Sequence, residues 1–174
     1  MINSSKSILD YCAGAGGKSL FMADKIKNKG EIVSYDIYPE KLEELNKRAK
    51  RQGITIIETR YPFDNELFDT VIADVPCSGT GTFARNPDAK WRLVESKVED
   101  LIKTGREILE KVKNNVKSGG SLSYITCSLM DMENIEQINW FLSKNKDFEL
   151  LNQKTIRPSV DMTDGFFIAN LLKK

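Results

Sequence analysis

Two thiols standing where strands should end are the residues of this chain best suited to chemistry. Cys77 lies in Asp74-Val75-Pro76-Cys77-Ser78-Gly79-Thr80-Gly81, directly after the apolar run Thr70-Val71-Ile72-Ala73. Cys127 lies in Tyr124-Ile125-Thr126-Cys127-Ser128, at the end of another apolar run. Short apolar runs of this kind read as buried strands. The acid and both thiols therefore fall at the carboxyl edge of a sheet, where open α/β sheets place their ligands. Pro76 fixes its own φ and holds Val75 extended, which gives Asp74 and Cys77 defined directions. Gly79 and Gly81 let the backbone turn tightly and leave room for a ligand. The chain has no histidine, which excludes Ser-His-Asp and Cys-His catalysis. A reactive thiol here needs another means of activation. Read alone, the stretch at 74–81 fits a glycine-rich turn with a half-buried cysteine equally well; the second thiol shifts the reading toward chemistry.

A second candidate site opens the chain. Ser7-Ile8-Leu9-Asp10-Tyr11 reads as a strand and Cys12-Ala13-Gly14-Ala15-Gly16-Gly17-Lys18-Ser19 as the turn after it, with Leu20, Phe21, Ala23 and Ile26 following at helical spacing. A strand, a glycine-rich turn and a helix bring backbone N–H groups toward a ligand. A P-loop, GxxxxGK[ST], would need glycine at Cys12, and a dinucleotide fingerprint starting at Gly14 would need glycine at Ser19. A loop of the S-adenosylmethionine type requires neither, and a plain tight turn remains an alternative. The next strand, Glu31 to Asp36, ends in an acid about 20 residues past the turn, where a carboxylate can accept hydrogen bonds from both ribose hydroxyls. Asp36 could instead cap the helix that Pro39 opens.

Composition sets the outer bounds. A chain of 174 residues, 40% hydrophobic and 29% charged, is that of one ordinary globular domain spanning 1–174. A net charge of +1 supplies no global field toward polyanions, so a nucleic-acid site would be a local patch. No apolar run approaches a membrane span, and Met1 to Ser7 lacks the apolar core of a signal peptide; no membrane partner and a cytoplasmic location are expected. Three well-separated cysteines, Cys12, Cys77 and Cys127, argue against a disulfide framework, and without histidine or CxxC spacing no metal site is expected.

The remaining elements follow in turn. Pro39 to Gln52 reads as a charged surface helix, Ile54 to Ile57 as a third strand, and Glu58 to Asp64 as a loop without a clear signal. Arg85, Lys90 and Arg92 interleave with Phe83 and Trp91, a group suited to phosphates and stacked bases, or equally an ordinary charged loop with a packed tryptophan. A long helix from Val94 to Val116 is predicted to end at Ser118-Gly119-Gly120. Asp131 to Lys144 reads as another helix, and Phe148 to Leu151 with Gly165 to Leu171 as a closing strand pair. The alternation predicts an α/β, doubly wound, mostly parallel sheet. The extra C-terminal strands suit the methyltransferase variant of that fold, with an antiparallel strand, better than a dehydrogenase.

Together these stretches resemble the Sun-type RNA cytosine-5 methyltransferase family. Asp10 to Ser19 is similar to its DxCAxPGGKT loop, Asp74 to Gly81 to DxPCSGTG, Arg85 to Trp91 to RxxPDxKW, Thr126 to Asn134 to TCSxxxxEN, and Thr163 to Leu171 to TDGFFxAxL. The resemblance spans essentially the whole chain. It implies transfer of a methyl group from S-adenosylmethionine to carbon 5 of a cytosine in RNA, with rRNA the favoured class. It further implies Cys127 as nucleophile, Cys77 as the group assisting proton removal or adduct release, and Asp74 as the hydrogen-bond partner of the cytosine. The DNA cytosine methyltransferases use the Pro-Cys thiol instead, which would invert the two cysteines. Cofactor contacts are implied for Cys12, Ala13, Gly14, Ala15, Gly16, Gly17 and Lys18, for Asp36 at the ribose, and for Asp74 on the methionine side. Thiolate formation is expected to rely on Lys18, nearby arginines or backbone N–H groups.

The chain departs from the pattern in places. Ala15 replaces a proline and Gly14 an alanine, and where the family's adenine-side acid should follow the third strand, Glu58 or Thr59 stands; Thr59 is carried forward as the candidate. Family members also carry an N-terminal RNA-binding region, whereas this sequence begins nine residues before Asp10. Low RNA affinity and self-association through an uncovered apolar face are the expectations. The rival readings are a non-catalytic fragment of the same fold acting as a binding module and, less favoured, a P-loop or dinucleotide enzyme.

Overall fold

The computed structural model describes residues 7–62 and 65–174. The leader reading over residues 1–6, and positions 63 and 64 of the loop without a clear signal, lie outside them. Runs of Ile, Leu and Val form the strands β1 (Ser7–Asp10), β2 (Glu31–Ser34), β3 (Ile57–Thr59), β4 (Phe68–Asp74) and β5 (Val116–Thr126), followed by β6 (Phe148–Ile156) and β7 (Phe166–Lys173). They make one sheet in the order β3-β2-β1-β4-β5-β7-β6. The pairs from β3 through β5 are parallel, and β7 runs antiparallel to both β5 and β6. This is the predicted mostly parallel sheet with an antiparallel C-terminal strand.

The helices are α1 (Gly17–Lys25), α2 (Pro39–Arg51), the short α3 (Ala89–Arg92), α4 (Glu95–Val112), α5 (Ile135–Lys144) and the short α6 (Pro158–Asp161). Successive strand residues face opposite sides, and both sides are covered. Leu9, Val33, Val71 and Leu122 join Leu109 and Val112 of α4 and Ile138 and Phe141 of α5 in one core. Ile8, Ile32 and Ile72 join Met22 and Ala23 of α1 on the other side, and Leu45 and Ala49 of α2 pack there against Leu20. The sheet reverses its winding at β1, which lies between β2 and β4. That reversal opens a crevice at the strands' carboxyl ends.

Three elements differ from their sequence reading. The third strand begins at Ile57 instead of Ile54, because Ile54 N–H donates to the Ala49 carbonyl at 3.0 Å at the end of α2 and Thr55 N–H donates to Asn28 Oδ1 at 3.1 Å, so neither amide is available to the sheet. Ser118-Gly119-Gly120 does not end a helix: α4 stops at Val112, and Val116 is a buried strand residue paired with Phe68. The glycines form a bulge inside β5, where pairing jumps from Phe68↔Val116 to Thr70↔Ser121 and Gly119 takes a φ of 74°. The helix predicted from Asp131 breaks at Asn134 into a 3-10 turn and α5; the Asn134 side chain is held by Thr126 and by the Ser128 carbonyl. Among the described residues no helix is long and apolar enough to cross a membrane.

Candidate active site

The turn after β1 is pinned from two directions. Ala13 N–H donates to the Tyr35 carbonyl at 2.9 Å, and Gly14 N–H to Asp36 Oδ2 at 2.8 Å. On its other side Arg48 of α2 donates to the Ala15 carbonyl at 2.6 Å. Gly16 has a φ of 83°, and a Cβ there would come within 2.8 Å of Leu45 Cδ1, so the turn needs glycine for both conformation and space. Asp36 is 8% exposed, and its Oδ1 accepts from Tyr38 N–H at 3.0 Å, just ahead of α2. It therefore orders the entry to that helix while facing the crevice.

The crevice holds a cavity of about 480 Å³ walled by Tyr11, Cys12, Gly14, Tyr35, Asp36, Ile37, Tyr38, Lys41, Asp74 and Pro76, and by Thr104, Glu107, Ile108 and Lys111 of α4. Thus Cys12, Gly14, Asp36 and Asp74 come together as anticipated. Ala13, Ala15, Gly16 and Gly17 shape the turn from behind the wall. Thr59 is placed apart: its hydroxyl accepts from Asn46 of α2 at 2.9 Å, and it does not line the cavity. Burial pushes the Cys12 thiol up to about 12, with the neighbouring carboxylates Asp10, Asp36 and Asp74 adding to the shift. Cys12 is a neutral wall residue at any physiological pH.

Lys18, in the first turn of α1, forms an ion pair with Asp74 at the end of β4. Beneath them lies Asp10, fully buried. Its Oδ2 accepts from the Ser19 hydroxyl at 2.6 Å, and its Oδ1 has no hydrogen-bond partner. Burial raises this carboxyl to about 6, against the lowering effect of Ser19 and Lys18.

The two thiols, fifty residues apart in sequence, lie with their sulfurs 3.3 Å from each other. Val75 N–H donates to the Ile125 carbonyl at 3.0 Å, which carries the β4–β5 pairing one step past Asp74. Cys127 N–H points at Cys77 Sγ at 3.3 Å. The thiol–thiol hydrogen bond pushes Cys77 far above the ordinary range, with burial adding to it. The same bond lowers Cys127, against its partial burial. Of the expected sources, Lys18 is engaged by Asp74, and among the described residues no arginine acts on Cys127; the hydrogen bond with Cys77 lowers it most, and a backbone N–H adds to that.

A clamp of polar groups fixes this pair. Glu133, 2% exposed, accepts from Ser78 N–H at 2.7 Å and from the Ser78 hydroxyl. Its own carbonyl accepts from Tyr124 OH at 2.7 Å. Gly81 N–H donates to the Cys127 carbonyl at 2.9 Å, and the Gly81 carbonyl accepts from Gly165 N–H at 2.8 Å. Leu129 N–H donates to Thr80 Oγ1 at 2.8 Å. Gly81 and Gly165 touch backbone to backbone, and a Cβ at Gly81 would lie 2.6 Å from the Gly165 carbonyl carbon. The segments around 78, 81, 128, 134 and 165 are thereby knitted around the sulfurs. Sequence reasoning quoted Glu133-Asn134 within a motif but gave the pair no task. The α4 wall was missed outright, since Thr104, Glu107, Ile108 and Lys111 read as an ordinary amphipathic helix.

The family model for 16S rRNA methyltransferase RsmB/F matches residues 2–172. A probable ribosomal RNA small subunit methyltransferase B of Bacillus subtilis (strain 168) is 35% identical, over 98% of this chain and 44% of the relative. Ribosomal RNA small subunit methyltransferase B of Escherichia coli O6:K15:H31 (strain 536 / UPEC) is 34% identical, over 98% of this chain and 43% of its own length. The chain thus spans less than half the length of these curated relatives. Among solved structures, NSun6 from Pyrococcus horikoshii with SFG shares the fold with a TM-score of 0.88 at 24% identity, over 98% of this chain and 48% of that one. With a family model that matches residues 2–172 and relatives 34–35% identical over 98% of it, the chain belongs to the 16S rRNA methyltransferase RsmB/F family.

Proposed function

We propose that this chain transfers a methyl group from S-adenosylmethionine to carbon 5 of a cytosine in RNA, rRNA being the class its family is named for, through a transient bond to Cys127. The observation that carries the reading is the thiol pair itself: two sulfurs 3.3 Å apart, close enough to share a proton, with Cys77 one residue beyond the cavity wall at Pro76.

The cavity suits the cofactor. Its volume lies within the range of small-ligand sites. A Cβ at Gly14 would meet no protein atom within 4 Å, so the turn leaves its backbone open to close approach. Asp36 keeps lone pairs beyond those used by the Gly14 and Tyr38 amides, enough to accept from ribose hydroxyls. Asp74 closes the end nearest the thiols. Bound S-adenosylmethionine would supply an electrophilic methyl group to carbon 5; its NSun6 structural neighbour was solved with SFG, an analogue of that cofactor.

Cytosine carbon 5 is a weak nucleophile until a thiolate adds at carbon 6 and pushes electron density to it. Cys127 performs that addition, forming the carbon 6–sulfur bond. Asp74, paired with Lys18, accepts a hydrogen bond from the cytosine amino group and so orients the ring, and the Lys18 ammonium beside it supplies the positive charge for the density that gathers near ring nitrogen 3 during attack. Once carbon 5 carries the methyl group, its proton leaves to water and that bond's electrons restore the ring double bond. The carbon 6–sulfur bond breaks with its electron pair on Cys127, and the Cys77 S–H donates to the departing sulfur.

Calorimetry with S-adenosylmethionine on the wild-type chain and on Asp36→Ala tests the cofactor half: binding that the variant loses supports it. RNA carrying 5-fluorocytosine tests the chemistry, because fluorine leaves no carbon 5 proton to remove and the adduct persists. Cys127→Ala forms no adduct and Cys77→Ala still does. The opposite pattern refutes the assignment, and binding without turnover or adduct favours the non-catalytic reading.

A further inference from the structure

The segment 82–92 takes no part in the site described above, yet it stands at its rim. Gly81 is bonded to both Cys127 and Gly165, and the chain turns immediately after it through Arg85 N–H to the Thr82 carbonyl at 3.0 Å. Arg85 then pairs with Asp164, the neighbour of Gly165, joining this segment to the turn around α6. The side chains left facing solvent there are unusual. Among the described residues the four most exposed large hydrophobics are Met162 (88%), Trp91 (81%), Val160 (74%) and Ile37. Three of these four belong to the two segments that the Arg85–Asp164 pair joins. The packed-tryptophan alternative is therefore not what the structure has.

Charge lies with the same residues. Segment 82–92 carries Arg85, Lys90 and Arg92 against Asp88 alone, a balance of +2 in a chain whose total is +1. Lys90 Nζ sits 4.9 Å from the Trp91 ring centroid. Arg85 remains 68% exposed despite its partner, which leaves guanidinium N–H groups free to donate. An open indole with cations around it matches the alternation of π-faces and phosphates along a single strand. The segment sets out from Gly81, which is hydrogen-bonded to Cys127, and that connection to the thiol end matches a substrate whose target base has to be unstacked before it can be attacked.

We propose that this rim, centred on Trp91 with Lys90, Arg85 and the exposed Met162, binds the single-stranded RNA nucleotides flanking the target cytosine, one base stacking on Trp91. The inference rests on the reading of the chain as an RNA methyltransferase, but its readout is RNA affinity and not chemistry. Adduct formation by the wild type on 5-fluorocytosine RNA reports on that reading separately.

The experiment uses the whole chain and a 5′-labelled single-stranded RNA of about 12 nucleotides with one central cytosine, at low salt. In a Trp140→Phe background, Trp91 is the sole indole, and its fluorescence is quenched as RNA is added. Trp91→Ala weakens RNA binding about tenfold, within the range for loss of one stacked base, while its S-adenosylmethionine affinity matches wild type. Lys90→Ala lowers the slope of log affinity against log salt by about one. Trp91 is open to solvent, so its replacement does not endanger folding. Equal RNA affinity in wild type and Trp91→Ala overturns the proposal, as does the absence of RNA binding by the wild-type chain. A change confined to the sedimentation state overturns it too, and assigns the patch to contact between copies of the chain.

Discussion

Asp10→Asn offers the sharpest check on how the cofactor turn is built. Asp10 is wholly buried, with one oxygen on Ser19 and the other without a partner, and its carboxyl rises from 3.8 in the unfolded chain to about 6 in the folded one. A raised acid binds its proton more tightly in the native state, so its contribution to stability is largest below pH 4. That contribution declines as pH rises through about 6 and stays lost above it. A shift of roughly two units corresponds to about 3 kcal/mol. Asparagine keeps the shape and cannot ionise. Urea unfolding of both proteins from pH 3.5 to 8 should therefore show the stability difference, wild type minus variant, falling by about 3 kcal/mol across that window. Taking the difference cancels other titrating groups, among them Asp69 and Glu110, whose lowered values act in the opposite sense. A pH-independent difference would mean that Asp10 titrates alike in the folded and unfolded chains and that the burial argument is wrong.

Two further outcomes follow from the thiol clamp. Gly81→Ala puts a methyl group into the Gly165 backbone, and should cost about 1–3 kcal/mol in urea unfolding, as overpacking does; a loss under roughly 0.5 kcal/mol would contradict the backbone contact. Cys77→Ala removes the hydrogen bond that lowers Cys127, so the pH profile of Cys127 alkylation, followed by peptide mass spectrometry, moves to higher pH. An unmoved profile, or one displaced to lower pH, would show that Cys77 is not what stabilises the Cys127 thiolate. Cys12, pushed up to about 12, stays silent over the range of that experiment.

The sequence alone determined the fold class, because its signals are local. Short apolar runs rich in β-branched residues, at Ile8-Leu9, Ile32-Val33 and Val71-Ile72, read as strands covered on both faces, and the glycines at 14, 16 and 17 mark a turn. It also placed Asp36, Asp74, Cys77 and Cys127 at strand ends, and the strand ends meet along one edge. Its errors occur where tertiary contacts override local pattern. Ile54 has the composition of a strand residue, but its N–H is taken up by the Ala49 carbonyl at the end of α2. Gly119-Gly120 has the composition of a helix stop but serves as a bulge, because Val116 fills a place in the sheet beside Phe68. Thr59, expected just past the third strand, is the last residue of β3, and its hydroxyl is turned to Asn46. Only the folded chain could decide the relation between the thiols. Nothing within fifty residues of intervening sequence sets a 3.3 Å separation; Glu133 on Ser78, Asn134 on Thr126 and the Gly81–Gly165 contact do. That the two sulfurs share a hydrogen bond at all, and how deeply each is buried, are properties of packing that residue type and spacing do not encode.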